Sequence, residues 1–325
     1  VLQAVLFMHD GRPLISAMHN ALIASPFIFL TTIMLTEPAT MPPRRAQQLL
    51  FGGLVAVLYV TGWKIGPLIV YPEVALLIGN VFAYAVSPKF RVRLKLKEVQ
   101  KISDRVYNYT FQPDRAFGFL PGQYMEWTLP HTAYDSRGNR RTFTIASSPT
   151  EPDVYLGIKY YEPASTYKAA LMEMKLGDII YASQLAGNFT LKGSEGKKLA
   201  FIAGGIGITP FRSMVKYLTD TQTGSDVVLL YVVSDPHEFA YVQELKEATR
   251  VGIRTIPIVT DLTYKANGVV TTTLSSEAIA QLLPDYSERT FYISGPNTMV
   301  DGTKHHLRTL GIPVTRIKTD HFSGY

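Results

Sequence analysis

Residues 198–218 read KLAFIAGGIGITPFRSMVKYL. The stretch Leu199-Ala-Phe-Ile-Ala203 is apolar without interruption, as a strand covered on both faces is. Gly204, Gly205 and Gly207 follow at once, and Phe211, Met214, Val215 and Leu218 then recur at helical spacing. Strand, glycine loop and helix in that order bring free backbone N–H groups and a helix N-terminus to one point, an arrangement that cradles a pyrophosphate. Thr209 and Pro210 stand where the helix starts, so the loop is Gly-x-Gly-x-x-Pro rather than Gly-x-Gly-x-x-Gly. An ordinary tight turn is the plainer alternative, and the strand before it and the helix after it argue against that.

Downstream, VVLLYVV at 227–233, TIPIVT at 255–260 and FYIS at 291–294 repeat the apolar-strand pattern with helical stretches between them. That alternation predicts a parallel α/β sheet of the Rossmann type. Ser234-Asp235 ends its second strand. A carboxylate there accepts from an adenosine ribose hydroxyl and repels a 2′-phosphate, which favours NADH over NADPH. Arg250 and Arg254 lie close in sequence and pull the other way.

Upstream the period changes. Residues 91–97, RVRLKLK, alternate polar and apolar, and 106–111, 122–127 and 155–161 behave similarly with turns between. Several short strands with regular turns predict a small antiparallel barrel. Within it lie Pro121-Gly122-Gln123-Tyr124, Arg141-Thr142-Phe143-Thr144 and Ser147-Ser148-Pro149. Arg141 offers a planar fork suited to phosphate oxygens. On a regular strand, 141 and 143 share one face and 142 and 144 the other, so one flat ligand touching Arg141, Phe143 and Thr144 requires a local irregularity.

Together these motifs resemble the ferredoxin–NADP reductase superfamily over residues 91–325. The resemblance implies an FAD-binding β-barrel, a nicotinamide-binding α/β domain, and hydride transfer between the two cofactors. It places Tyr124, Arg141, Thr142, Phe143 and Thr144 on the flavin, with Thr144 at the flavin atom that receives hydride. Ser165 and Thr166, ahead of a helix expected over 167–174, would face the flavin diphosphate, although a plain N-cap explains a hydroxyl there equally well. Gly187-Asn188-Phe189 matches the turn that closes the flavin domain. Ser294-Gly295-Pro296, followed by Met299, matches the family's Cys-Gly-Pro element beside the nicotinamide, with Ser294 in place of cysteine. The terminal Asp320-His-Phe-Ser-Gly-Tyr325 would supply an aromatic lid over the flavin, Phe322 first and Tyr325 second.

The N-terminal region is of another kind. Residues 14–36 carry no Asp, Glu, Lys or Arg, and neither do residues 46–63. The first run matches a hydrocarbon core of about 30 Å. A third apolar run covers 74–88. Arg44 and Arg45, with the basic cluster Lys89, Arg91, Arg93, Lys95 and Lys97, would share one side. The positive-inside rule then puts the C-terminal region in the cytoplasm, behind a multi-pass membrane segment in contact with lipid. Thr36-Glu-Pro, Arg45, Gln48, Gly52-Gly53, Tyr71-Pro-Glu73 and Leu77-Ile-Gly-Asn80 resemble, in order, part of the B subunit of sodium-pumping NADH:quinone reductase and the related D subunit of the Rnf complex. Glu37 and Glu73 lie at expected helix ends beside prolines, where capping competes with ion transport as their reading. The sequence opens at Val1 rather than Met, so helices ahead of it are an open expectation.

With no cysteine in 325 residues, the sequence excludes disulfides, thiolate-held iron–sulfur clusters and a catalytic thiol within it. No histidine pair has metal-ligand spacing, and no metal site is expected. The formal charge of +6 comes with no nucleic-acid recognition motif. The expected organisation is a transmembrane region over 1–88, an FAD barrel over 89–193 and a nucleotide domain over 194–325. The expected activity passes electrons from NADH through FAD to a membrane acceptor: a quinone, a second flavin such as FMN, or a partner redox protein. Two alternatives stay in view. A haem-linked ferric or oxygen reductase needs histidine pairs on membrane helices, where only His9 and His19 are near. A non-catalytic membrane assembly or sensor subunit would have no use for intact cofactor motifs.

Overall fold

The computed structural model describes residues 32, 34, 35, 41, 42, 45–61, 64, 65, 68, 69, 71–86, 91–132 and 134–322. The chain divides into two compact units, Val1–Lys89 and Phe90–Tyr325.

In the first unit, α1 (Arg45–Thr61) and α2 (Pro72–Val86) pack together, with a short pairing of β1 (Lys64–Ile65) and β2 (Leu68–Ile69) between them in sequence. Gly79 permits the close approach: a Cβ there would lie 2.5 Å from Val55 Cγ2 and 2.9 Å from Phe51. Phe51, Val55, Ala75 and Ala83 are buried in the seam. Leu49, Leu50, Leu77, Val81 and Tyr84 face outward and are exposed. The runs expected as second and third membrane crossings are these two helices. No helix among the described residues is long and apolar enough to cross a membrane. At 1.5 Å per residue, the 17 residues of α1 reach only about 26 Å. The run at 14–36 lies outside the described residues apart from Thr32, Met34 and Leu35, as do Glu37, His9 and His19.

The second unit holds two sheets. The first is antiparallel, in the order β6-β5-β8-β3-β4-β7. Its strands are β3 (Arg91–Lys101), β4 (Val106–Pro113), β5 (Tyr124–Thr128), β6 (Arg140–Thr144), β7 (Val154–Lys159) and β8 (Ile179–Ala186). The alternation of β3 sends Val92, Leu94 and Leu96 inward, and a register shift between Leu96 and Glu98 ends it. They join Tyr109, Phe111, Met125, Trp127, Ile158 and Tyr167 in a buried core. The small antiparallel barrel expected is a half-barrel: β6 and β7 are its two edges, with no ladder between them among the described residues. A short helix, α3 (Thr166–Met172), follows β7 and buries Tyr167 and Leu171 beneath it.

The second sheet is parallel, in the order β12-β11-β10-β9-β13-β14. It comprises β9 (Leu199–Gly204), β10 (Val227–Val233), β11 (Ile253–Val259), β12 (Val270–Thr271), β13 (Thr290–Pro296) and β14 (Ile317–Phe322). Every residue of β10 is buried, as a strand covered on both faces must be. One face packs Phe201, Leu229 and Tyr231 against α4 (Ile208–Asp220) and α5 (Val242–Glu247). The other packs Ile202, Leu230 and Ile293 against α6 (Ser276–Leu282) and α7 (Asn297–Thr309). After β12 the chain crosses back to β13 on the far side of β9. This makes the C-terminal ends of β9 and β13 the switch point where ligands of such sheets bind.

Candidate active site

The open edges of the half-barrel and the switch point of the parallel sheet border one cavity of 590 Å³. From β6 it takes Arg140, Arg141, Thr142, Phe143 and Thr144, and from β7 Gly157, Ile158 and Lys159. Tyr124 enters from β5, Ile206 from the glycine loop, and Asp320, His321 and Phe322 from β14. A smaller pocket of 110 Å³ shares Arg137, Arg141, Phe143, Tyr161 and Lys168 with it and adds Ser165.

On β6 the register to β5 is regular, with Tyr124 opposite Thr144 and Trp127 opposite Arg141. Arg141 and Phe143 therefore share a face. The Arg141 guanidinium lies 5.2 Å from the Tyr167 ring centre, and the Phe143 ring 5.8 Å from it. No irregularity in β6 is needed, because the strand is an edge and both its faces and its rim border the cavity. Arg141 is not a free fork. Its Nη2 donates to both Asp135 oxygens at 2.8 and 2.9 Å, and its Nη1 donates to the carbonyl of Gly138 at 2.9 Å. Partial desolvation pushes the Asp135 carboxyl up, but hydrogen bonds from Arg137 and Arg141 outweigh it and hold the group at about 2. Asp135 and Arg137 were not singled out in the sequence, since a loop aspartate between two strands carries no signal of its partner.

The hydroxyls ahead of α3 have partners of their own. Ser165 accepts from Lys168 N at 3.3 Å as the helix N-cap, and Thr166 Oγ1 accepts from Asp135 N at 3.1 Å.

The glycine loop is fixed by close packing. A Cβ at Gly207 would sit 2.3 Å from the Ser294 carbonyl oxygen, and one at Gly204 would sit 2.2 Å from Met299 Sδ. Gly295 packs back on Gly204. Gly205 differs: its φ is +52°, and a Cβ there would meet only Lys159 Nζ, at 3.9 Å. Gly207 is the N-cap residue of α4, and no side chain caps that helix. Thr209 and Pro210 are buried; Thr209 Oγ1 donates to Ile206 O at 3.2 Å, and its methyl abuts Gly157 of β7.

Ser294 is fully buried and donates weakly to Asp320 Oδ2 at 3.4 Å. It does not border the cavity itself; Asp320, its β14 partner, does. Burial raises the Asp320 carboxyl to about 6, only partly offset by Ser294. The Tyr124 phenol is raised by burial first and then by the Asp320 charge. Phe322 ends β14 opposite Pro296 and borders the cavity, while Tyr325 lies outside the described residues. Asp235 is exposed and caps its own turn, accepting from His237 N at 2.9 Å through Oδ1. Arg140, Lys159, Tyr161, Lys168, Ile206 and Asp320 are further site residues that sequence reasoning did not assign. For Asp320 the only available signal was its strand pairing to Ser294, which no local pattern shows.

The donor set fits FAD and a nicotinamide dinucleotide. Arg137, Arg140, Arg141, Lys159 and Lys168 line the cavity with cations for a diphosphate, and Tyr124, Phe143, Tyr161 and Phe322 supply flat aromatic surface. Open space above Gly205 at the uncapped start of α4 suits a second pyrophosphate. Among the described residues no cluster suits a metal ion.

Known proteins share parts of this sequence and fold. The model of the oxidoreductase NAD-binding domain family matches residues 201–305. The reductase component of propane 2-monooxygenase from Rhodococcus jostii (strain RHA1) is 26% identical over 242 residues, 71% of this chain and 64% of that protein. The glycine betaine monooxygenase reductase subunit of Pseudomonas aeruginosa (strain UCBPP-PA14) is 26% identical over 233 residues, 70% of this chain and 63% of that one. The chain thus spans less than two thirds of the length of either relative. A ferredoxin NADP+ reductase from Neisseria gonorrhoeae, solved with bound FAD and NADP, superposes with a TM-score of 0.62 at 19% identity, over 71% of this chain and 98% of that one. The half-barrel and the parallel sheet thus share the fold of that ferredoxin NADP+ reductase, and the parallel sheet is similar in sequence to the oxidoreductase NAD-binding domain family.

Proposed function

We propose that this chain takes electrons from NADH, in preference to NADPH, through FAD and delivers them to a separate redox protein, a reading supported by relatives that are named as reductase components of monooxygenases. One observation carries the reading: a single cavity is bordered by the flavin-type strand β6, the glycine loop and the end of β14. Residues 89–193 serve FAD in this reading and 194–325 serve the nucleotide. Bound FAD supplies the conversion between a two-electron hydride donor and one-electron acceptors. Arg141, aligned by Asp135, holds the diphosphate. Tyr124 and Phe143 set the plane of the ring, Thr144 offers it a hydroxyl, and Phe322 covers it. Gly205 and the first turn of α4 receive the nicotinamide nucleotide. Ser294 orients Asp320, whose carboxyl holds or releases a proton at the cavity wall near neutral pH. Asp235 keeps its Oδ2 for a ribose hydroxyl and opposes a 2′-phosphate, which supports NADH.

A second reading places the acceptor in a membrane, as a quinone or another flavin such as FMN, with the catalytic unit on the cytoplasmic side. It is favoured by the exposed apolar side chains of α1 and α2 and by the charge-free run at 14–36.

Purified protein mixed anaerobically with NADH or NADPH tests the first reading. A yellow chromophore that bleaches faster with NADH supports it, and protein that neither carries nor takes up FAD overturns it. Pelleting with lipid vesicles tests the second.

A further inference from the structure

The two halves of the cavity are joined by a buried ionic clasp that the function above does not use. Arg212 of α4 is 3% exposed and lies within two turns of the glycine loop. Its Nη2 donates to Glu151 Oε1 at 2.9 Å and to Glu244 Oε1 of α5 at 3.1 Å. Its Nη1 donates to Glu151 Oε2 and, at 3.4 Å, to the carbonyl of Ala146. The guanidinium lies 4.8 Å from the Tyr155 ring centre, and its Nε is buried without a hydrogen-bond partner, so the fork grips end-on through both terminal nitrogens. The same seam carries Ser213 Oγ donating to Ser147 O at 2.6 Å and Thr150 Oγ1 donating to Asp220 Oδ2 at 2.6 Å. Glu151 in turn accepts from Ser148 N at 2.6 Å.

The position of this clasp in the chain gives it a use. Residues 146–151 begin two residues after Thr144, and Arg212 stands five residues after Gly207. The clasp therefore fastens the segment leaving the flavin-type strand to the helix that starts at the nucleotide loop. Residues Arg212, Ser213 and Asp220 of α4 all hold this segment. A buried cation between two carboxylates is a costly way to secure stability alone, because apolar residues fill such a volume at least as well. What the bidentate fork adds is a fixed distance and angle.

We propose that Arg212 is a positioning residue for the reaction: with Glu151 and Glu244 it sets the spacing between the β6 edge and the glycine loop, and so between the two bound cofactors. This rests on the proposed function. Transfer between two ligands depends steeply on their separation, and a displacement near 1 Å costs about a hundredfold in rate.

The test uses the full chain loaded with FAD and compares wild type with Arg212→Lys, which keeps the charge but loses the fork, and with Glu151→Gln. Flavin reduction by NADH is followed over a range of NADH concentrations well below the melting temperature of each variant. The expected result is a limiting rate lowered by about tenfold to a hundredfold, an unchanged FAD content and a half-saturating NADH concentration within about twofold of wild type. A second readout needs no turnover: titration of the oxidised holoprotein with NAD+ perturbs the flavin spectrum through stacking, and that perturbation shrinks in both variants while the NAD+ dissociation constant holds. Variants that melt earlier yet keep the wild-type limiting rate and spectral perturbation assign the clasp to stability alone and overturn the proposal. If Arg212→Lys does not fold, Glu151→Gln decides. Wild-type protein that takes up FAD but is not reduced by NADH sinks the proposed function instead, and this inference with it.

Discussion

The glycine loop after β9 and the strand β6 both border the cavity, but they are built by opposite means. The loop is shaped by what is missing. Gly204 and Gly207 have no side chain because Met299 and the Ser294 backbone occupy that space. Strand β6 is shaped by what is added: Arg141 is aimed by Asp135 and three backbone carbonyls, and Phe143 by Tyr167. A site made by steric exclusion fails abruptly when an atom is inserted. A site made by polar contacts fails by degrees.

Four measurements break or sharpen that contrast. Gly207→Ala forces backbone apart at the Ser294 carbonyl. Reduction by NADH should fall by about a hundredfold or more while FAD content stays at wild-type level, measured by stopped-flow bleaching and absorbance. Arg141→Lys keeps the cation and loses the fork, so FAD should be released about tenfold more readily, read by equilibrium dialysis. NADH dependence should change little in the fraction that retains FAD.

Asp320 supplies a pH test. Its carboxyl is raised from 3.8 to about 6 by burial. The native state therefore holds a proton that the unfolded chain has released between about pH 4 and 6, and stability falls as pH rises through that window. Asp320→Asn should flatten that slope in thermal melts. It should also remove any inflection near pH 6 from the rate of flavin reduction. Gly205→Ala should show the smallest effect. The added methyl has room, and the cost is the left-handed backbone, about 1 kcal/mol, or about fivefold in nucleotide affinity. If Gly205→Ala proves as damaging as Gly207→Ala, steric exclusion is the wrong account of the loop.

The contrast also explains what could be read in advance. The loop and its flanking strand and helix were legible because glycine and unbroken apolar runs report their own environment. The strand at 227–233 matched its expected bounds because both its faces are buried. Strand β8 escaped notice: its burial alternates only as far as Ala182, and Ser183 and Gln184 interrupt the pattern at the register shift against β5. β14 was read as a terminal lid. Its strand character depends on pairing with β13, and its first residue, Ile317, is its only buried one. Asp135 was hidden because its partner lies across a loop turn. That the barrel is a half-barrel was not legible, because short strands and turns do not reveal whether the first and last edges meet. The membrane reading of the N-terminal region came from charge-free length. Among the described residues that length is divided between helices too short to span.

The unclosed seam between β6 and β7 has a consequence for how far such a protein can drift. An unpaired strand edge offers amide and carbonyl groups whose positions depend on the course of the backbone, not on which side chains hang from it. Whatever such an edge grips is gripped through atoms every amino acid shares. Mutation can then rewrite most of the alphabet around the seam without touching its hold, so that proteins agreeing at about a fifth of their positions are free to keep one and the same architecture.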